Sequence, residues 1–257
     1  LALLVCDTPI PAVIATHGDY ERIFKTFFLK SLPDGLDAFN MDAFDVRGKK
    51  EYPAEDRLDD YDGIVITGSA ASAYEDVEWI NKLVAWVARI ATSKPQIKII
   101  AICFGHQIVA HALGGTCIPN DGKWEVGITD IALTDVGQRI FKTGTFNIQQ
   151  MHRDHVPSVP PSFYLLGSTP VSLNQGMVRF VDSASSPDLS QPLPPIHILT
   201  LQGHPEFTKE LVNELVDARS ASGILDQATA QQARDRTGWR NDGPSVMGRA
   251  LWEVLRA

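Results

Sequence analysis

The sequence predicts an α/β fold: an open, mostly parallel sheet flanked by helices, with a β-rich excursion in its second half. Three observations carry this expectation. Short apolar runs alternate with amphipathic stretches over the first 113 residues, the pattern of strand–helix–strand units. One of these runs, 97–102, leads without a break through Cys103 into a helical pattern. Between residues 126 and 181 the pattern changes to short β-type runs joined by turns.

Taken in order, residues 1–6 read as a first strand. Residues 19–30 have helical spacing, with Ile23, Phe24, Phe27 and Phe28 on one face. Strands are expected at 41–46 and 63–67. A helix is expected over 77–91, where Ile80, Leu83, Val84 and Val87 recur at i, i+3, i+4 and i+7. The strand at 97–102 precedes a helix over 104–113, which Gly114 and Gly115 stop. Short strands follow at 126–133, 146–151, 163–168 and 177–181. Residues 182–195 carry Ser, Pro and Asp without periodicity and read as a surface loop. A strand at 196–201 and a helix at 208–220 come next. Residues 221–244 are polar and show no readable element, and 245–256 read as a closing helix. No repeat and no clean linker interrupts the chain. One domain over 1–257 is expected, with its motif core at about 60–207 and a helical, polar extension over 208–257.

Composition limits the function classes. A net charge of −8 argues against a general nucleic-acid partner or an anionic membrane surface, either of which calls for a basic patch. No apolar stretch approaches the roughly 18 residues of a membrane span. The run at 1–6 lacks a basic flank and is followed by Asp7 and two prolines, so it reads as a strand rather than a signal peptide. Three cysteines, Cys6, Cys103 and Cys117, make an odd and sparse set. That fits a reducing, cytoplasmic setting without a disulfide framework.

Cys103 alone has a special surrounding. An apolar strand ends on it and a helix starts at once, the form of a nucleophile elbow with sulfur in place of the serine oxygen. Ala101 and Gly105 flank it at minus two and plus two, where a strained turn needs small neighbours that do not collide across it. The helix N-terminus points at the sulfur and favours the reactive thiolate.

A thiol nucleophile needs a proton carrier, and the carrier needs orientation. Gly203-His204-Pro205-Glu206 follows the strand at 196–201, which puts His204 at a strand's carboxyl edge. Glu206 projects to the same side two residues on, and Pro205 stiffens the link. Glu206 is therefore expected to hold the His204 ring, as the third member of a triad does. The competing reading makes His204 a cap and Glu206 a first-turn residue of the helix at 208–220. An oxyanion hole is expected from the Phe104 N–H and from Gly68-Ser69, where Gly68 allows an unusual φ and close backbone approach.

Together, Cys103-Phe104-Gly105-His106-Gln107, His204-Pro205-Glu206 about a hundred residues on, and Ile66-Thr67-Gly68-Ser69 upstream resemble the class I glutamine amidotransferase family over roughly 60–207. The resemblance implies a flavodoxin-like open sheet. It implies that Cys103 attacks the γ-carboxamide carbon of a glutamine or γ-glutamyl group to give a γ-glutamyl thioester, with His204 as base and acid and Glu206 as its partner. Gln107 matches the position that touches the glutamyl group, and Val126 and Gly127, after Trp124-Glu125, are placed in the glutamyl pocket by resemblance. The chain departs from synthase-linked members in two ways. It reads Gly-Ser where many have a doubled glycine, and only about fifty residues follow the triad. With Met151-His152-Arg153-Asp154-His155, these features resemble the stand-alone branch, which includes fungal proteins of unassigned role and plant γ-glutamyl peptidases acting on glutathione conjugates.

His152 and His155 with Asp154 offer part of a metal set, but a hydrolytic zinc site wants three ligands and no third is apparent. No metal and no cofactor is therefore expected. Arg153 or His152 is assigned instead to a substrate carboxylate. The leading expectation is a cysteine hydrolase or transferase on small γ-glutamyl amides. The alternatives are a glutaminase subunit that feeds ammonia to a separate synthase partner, and a non-catalytic or redox-sensing relative using an oxidisable Cys103.

Overall fold

The computed structural model describes residues 1–181 and 187–257. Of the loop expected over 182–195, residues 182–186 lie outside the described residues, and 187–195 carry no helix or strand. In chain order the elements are β1 (Ala2–Val5), α1 (Pro11–His17), α2 (Tyr20–Lys30), β2 (Asp42–Asp45), a 3-10 turn (Glu55–Asp60), β3 (Gly63–Ile66), α3 (Glu78–Ser93), β4 (Lys98–Ile102) and α4 (Phe104–Ala112). The β-rich part follows with β5 (Ile118–Pro119), β6 (Glu125–Leu133), α5 (Asp135–Phe141), β7 (Thr145–His152), β8 (Asp154–His155), β9 (Tyr164–Leu165), β10 (Gly167–Ser168) and β11 (Gly176–Phe180). The chain then returns through β12 (Ile196–Leu201), α6 (Lys209–Ala221), α7 (Gln227–Asp235), a π turn (Gly243–Gly248) and α8 (Arg249–Leu255).

Among the described residues, seven strands form the main sheet in the order β2-β1-β3-β4-β12-β11-β9. The first five are parallel, and β11 runs antiparallel to β12. The excursion adds a small antiparallel sheet, β10-β6-β7. This is the expected α/β architecture.

The central strands are buried on both faces, which explains their near-continuous apolar sequence. Leu4, Ile64, Ile66, Ile99 and Ala101 share one cluster with Leu83, Val87 and Ile108 of α3 and α4. Leu3, Val65, Ile100 and Ile102 share the other with Phe24 and Phe28 of α2 and Leu251 and Trp252 of α8. Each such side chain contributes roughly 1.5–3 kcal/mol by leaving water. A third cluster joins Val13 of α1 to Val126, Met151, Phe207, Leu211 and Ala233, and places α1, α6 and α7 beside the carboxyl edge of the sheet.

Four local expectations need correction. The run at 163–168 is two short strands in different sheets: Leu165 pairs with Met177, whereas Gly167 pairs with Leu133. A helix, α5, stands where the sequence predicts only a turn; Thr134 caps it by accepting the Gly137 N–H at 3.2 Å. In the polar stretch 221–244, Asp226 caps α7 by accepting the Thr229 N–H at 2.8 Å. Helix α1, a seven-residue element with Pro11 at its start, stands where the sequence predicts no element.

Two buried histidines give the fold an acid limit. Burial pushes His106 down to about 3. Burial, together with Arg179 and Lys98, pushes His197 down to about 4. A lowered folded pKa means that stability is full above pH 6.5 and is lost as pH falls toward 3–4, because the unfolded chain takes up protons that the native one refuses. At pH 5 the loss from His106 alone is roughly 2 kcal/mol. Urea midpoints at pH 7.5 and 5.0 measure it; equal midpoints would contradict the assignment.

Candidate active site

Strands β1, β3, β4 and β12 are sheet neighbours running in one direction, so the loops after them share one edge. From β1 the chain goes to β2 on one side and then to β3 on the other, which makes the β1/β3 boundary a topological switch point. Asp7, Gly68-Ser69, Cys103 and His204-Glu206 all leave the sheet at this edge.

Cys103 is the residue between β4 and α4, with φ 52° and ψ −104°. A non-glycine residue there costs roughly 1–3 kcal/mol, which the surroundings must over-determine. They do so from both sides: the Cys103 N–H donates to the Leu201 carbonyl at 2.8 Å, and the Cys103 carbonyl accepts the Gln107 N–H at 3.1 Å. Gly105 is required, but not because of a collision across the turn. A Cβ on it would stand 2.7 Å from the Ile66 carbonyl oxygen of β3. The neighbouring strand sets the size limit.

His204 is held on three sides. Its N–H donates to the Gln149 carbonyl at 2.8 Å, bridging to β7. Its ring lies flat on Phe207, with centroids 3.9 Å apart and an interplanar angle of 6°. Its Nδ1 lies 2.8 Å from Glu206 Oε1. Both side chains are buried. Burial lowers the His204 pKa, but the Glu206 carboxylate and the Cys103 sulfur raise it by more, and it is pushed up to about 10. Gly203 lets β7 pass, since a Cβ there would meet Gln150 Nε2 at 2.8 Å and the Gln149 carbonyl oxygen at 3.1 Å.

Gly68 faces the same space. A Cβ on it would lie 2.8 Å from His204 Cε1 and 3.6 Å from Cys103 Cβ. Its φ is not in the left-handed region, so close approach alone explains the glycine and the expected unusual φ is absent. The Ser69 hydroxyl donates to Asp7 Oδ2 at 3.2 Å and accepts the Ala71 N–H at 3.1 Å. Asp7 also takes the Ala70 N–H at 2.7 Å and pairs with Arg47. The serine at this position is thus a brace for the loop. Phe104 buries its ring against Trp79, while its N–H is the first of α4 and has no intrahelical acceptor.

A chain of amides continues from the sulfur. The Asp154 carbonyl can only accept, so Gln107 presents Nε2 to it, at 3.0 Å. The same Nε2 reaches Gln202 Oε1 at 3.2 Å. Gln202 therefore turns its own Nε2 to Cys103 Sγ, at 3.6 Å. Beyond Asp154, His152 places Nδ1 3.1 Å from the Asp154 carbonyl oxygen and Nε2 3.0 Å from Glu125 Oε2. Burial works to raise Glu125, but His152, Thr169 and Gln175 hold it below the usual carboxylate range.

Two small cavities meet at Cys103. A polar one of about 60 Å³ is lined by Ser72, Gln107, His152, Arg153 and Asp154 among others. A more apolar one of about 70 Å³ is lined by Ile10, Tyr20, His204, Phe207 and Leu215 among others. A larger groove of about 720 Å³ between Lys30 and Arg256 touches none of the candidate residues.

The structure therefore brings Cys103, His204, Glu206, Gly68, Ser69, Phe104, Gln107, His152 and Arg153 to one region. Val126 and Gly127 line neither cavity. Val126 packs with Leu211 and Ala233, and Gly127, at φ 80°, has Ala233 where a Cβ would go. Three residues went unread in the sequence: Asp7, Gln202 and Arg219. The first two follow strands at the carboxyl edge, a positional signal that was available. Arg219 sits in helix α6 and gave none.

A profile of the family described as glutamine amidotransferase class-I matches residues 38–216. A glutamine amidotransferase-like protein of Schizosaccharomyces pombe is 34% identical over 244 residues, 92% of this chain and 91% of its own length. Gamma-glutamyl peptidase 3 of Arabidopsis thaliana is 30% identical over 264 residues, 99% of this chain and 93% of its own. A crystal structure of a glutamine amidotransferase from Thermotoga maritima shares the fold, with a TM-score of 0.68 at 16% identity over 100% of this chain and 99% of that one.

Proposed function

This chain belongs to the class-I glutamine amidotransferase family, and we propose that it is a cysteine-dependent hydrolase of γ-glutamyl amides that works without a synthase. The observation carrying the reading is the convergence of Cys103, His204 and Glu206 at one sheet edge, with His204 Nδ1 2.8 Å from Glu206. The near full-length similarity to a plant protein named γ-glutamyl peptidase supports the substrate class.

The chemistry follows from the geometry. With its pKa pushed up to about 10, His204 is protonated at neutral pH and serves as the acid of the site, beside the Cys103 sulfur as nucleophile. Cys103 Sγ adds to the γ-carbonyl carbon. The carbonyl oxygen becomes an oxyanion, met by the Phe104 N–H and the backbone after Gly68. His204 gives its proton to the departing nitrogen as the C–N bond breaks, and a γ-glutamyl thioester remains. Water then attacks, His204 takes a proton from it, the C–S bond breaks, and glutamate leaves.

Incubating the purified chain with glutamine, glutathione and a glutathione S-conjugate, and following glutamate, tests this. Release from a γ-glutamyl peptide by the chain alone is expected. Release from glutamine only after a synthase is added would make the chain an ammonia-supplying subunit, and no release from any of the three would remove the hydrolase reading.

Gly68→Ala is expected to damage turnover more than stability. The new methyl points at His204 Cε1, whose ring is locked between Glu206 and Phe207 and cannot yield. A displacement of this kind costs on the order of a hundredfold in rate. The check is kcat/KM beside the melting temperature: a rate within threefold of the parent would show that the loop is not part of the site.

A further inference from the structure

Arg219, near the end of α6, lines both cavities that meet at Cys103. Its guanidinium carbon lies 5.3 Å from the centre of the Trp124 ring, and that of Arg153 lies 5.8 Å from the same ring. The two cations share a platform but not a fate. Arg153 reaches Asp154 Oδ1 at 3.4 Å, and its side chain is 45% exposed at the rim. Asp7, the other carboxylate of the cavities, is taken by Arg47, Ser69 and Ala70. Among the described residues, no carboxylate and no hydrogen-bond acceptor meets the Arg219 guanidinium. Burial pushes it below the usual arginine range, while Cys103, Tyr20 and Asp7 favour its charge.

Arg219 is half-buried, and its guanidinium opens onto the cavities with its N–H donors free to meet a ligand. A ligand carboxylate meets them with two parallel N–H···O bonds, a geometry arginine is shaped for. We propose that Arg219 anchors the α-carboxylate of the γ-glutamyl group and so selects γ-glutamyl amides over simple amides. The inference rests on the γ-glutamyl reading above. The acyl side is favoured over the leaving side because the polar cavity also holds the Asp154 carboxylate and the Ser72 hydroxyl bound to it at 2.5 Å. An amino-acid head brings an ammonium for the first and a carboxylate for Arg219. Every γ-glutamyl amide presents that carboxylate, whatever its leaving amine.

The test compares two p-nitroanilides with the same uncharged leaving group: γ-glutamyl, and 4-aminobutyryl, which lacks only the α-carboxylate. The wild-type protein is expected to lose roughly 10- to 100-fold in kcat/KM without the carboxylate. Arg219→Gln is expected to lose as much on the γ-glutamyl anilide and almost nothing more on the other, with Arg219→Lys between; melting curves confirm folding. Full wild-type discrimination in Arg219→Gln overturns the proposal. A second arm does not depend on γ-glutamyl turnover: the ratio of Cys103 alkylation rates with iodoacetate and iodoacetamide. A several-fold fall of that ratio in Arg219→Gln supports a carboxylate anchor even if neither anilide is cleaved, in which case the γ-glutamyl reading alone fails. An unchanged ratio in both proteins counts against Arg219 itself.

Discussion

Replacing Cys103 by serine is expected to lower glutamate release by roughly four orders of magnitude or more. The expectation rests on what distinguishes this thiol from the other two. Cys6 and Cys117 are also free and buried. Burial pushes Cys6 up to about 12 and Cys117 up as well, so both stay protonated and unreactive at neutral pH. Neither stands at a helix start beside a histidine. Cys103 has α4 beginning on its carboxyl side, the Gln202 amide at 3.6 Å and His204 as its charge partner. Serine keeps the size and the strained backbone, but His204 would then have to remove a far less acidic proton before each attack. A glutamine-mimicking diazoketone provides the direct check. Its added mass should appear on the peptide carrying Cys103 and vanish in Cys103→Ser. Labelling at Cys6 or Cys117, or a serine variant within tenfold of the parent, would remove the nucleophile assignment.

The elbow was legible because its physics is local. An apolar run, a cysteine and a small residue two places on are contiguous, and so are His204 and Glu206. What lay outside the sequence was the reason for each small residue. Gly105 is limited by Ile66 of the neighbouring strand, and Gly68 by the His204 ring more than a hundred residues away. Such limits belong to the sheet order, which no single stretch displays. The same holds for Val126 and Gly127. A strand over 126–133 was readable, but Val126 and Gly127 pack against Ala233 of α7, and α7 has little apolar signal because only Ala230 and Ala233 are buried on it. Arg219 shows the opposite case. As one cation in a helix with ordinary amphipathic spacing it carries no mark, and its meaning comes from Trp124 beneath it and from the absence, among the described residues, of a carboxylate paired with it.

Glu206→Gln is expected to cost on the order of 10²- to 10⁴-fold in kcat/KM and to move the pH dependence in a definite direction. The substitution keeps an oxygen that can accept from His204 Nδ1 and removes only the charge. Burial works to lower the His204 pKa, and Glu206 is the first of the groups that overcome it. Without that carboxylate the His204 pKa falls, and less of the protonated ring remains at neutral pH to supply the departing nitrogen. The alkaline limb of the rate profile should therefore shift to lower pH, read as a property of the Cys–His pair and not of one residue. Stability gives an independent sign. A histidine whose folded pKa is raised contributes stability that is full below pH 6.5 and is lost as pH rises through about 10. The wild-type protein should thus lose stability between pH 7 and 9.5, and Glu206→Gln should lose less over the same interval. Urea midpoints of both proteins at the two pH values separate this from a packing defect, which would lower stability equally at each. If the variant kept the parent's alkaline limb and the parent's pH slope of stability, Glu206 would be a structural residue of the segment before α6 and nothing more.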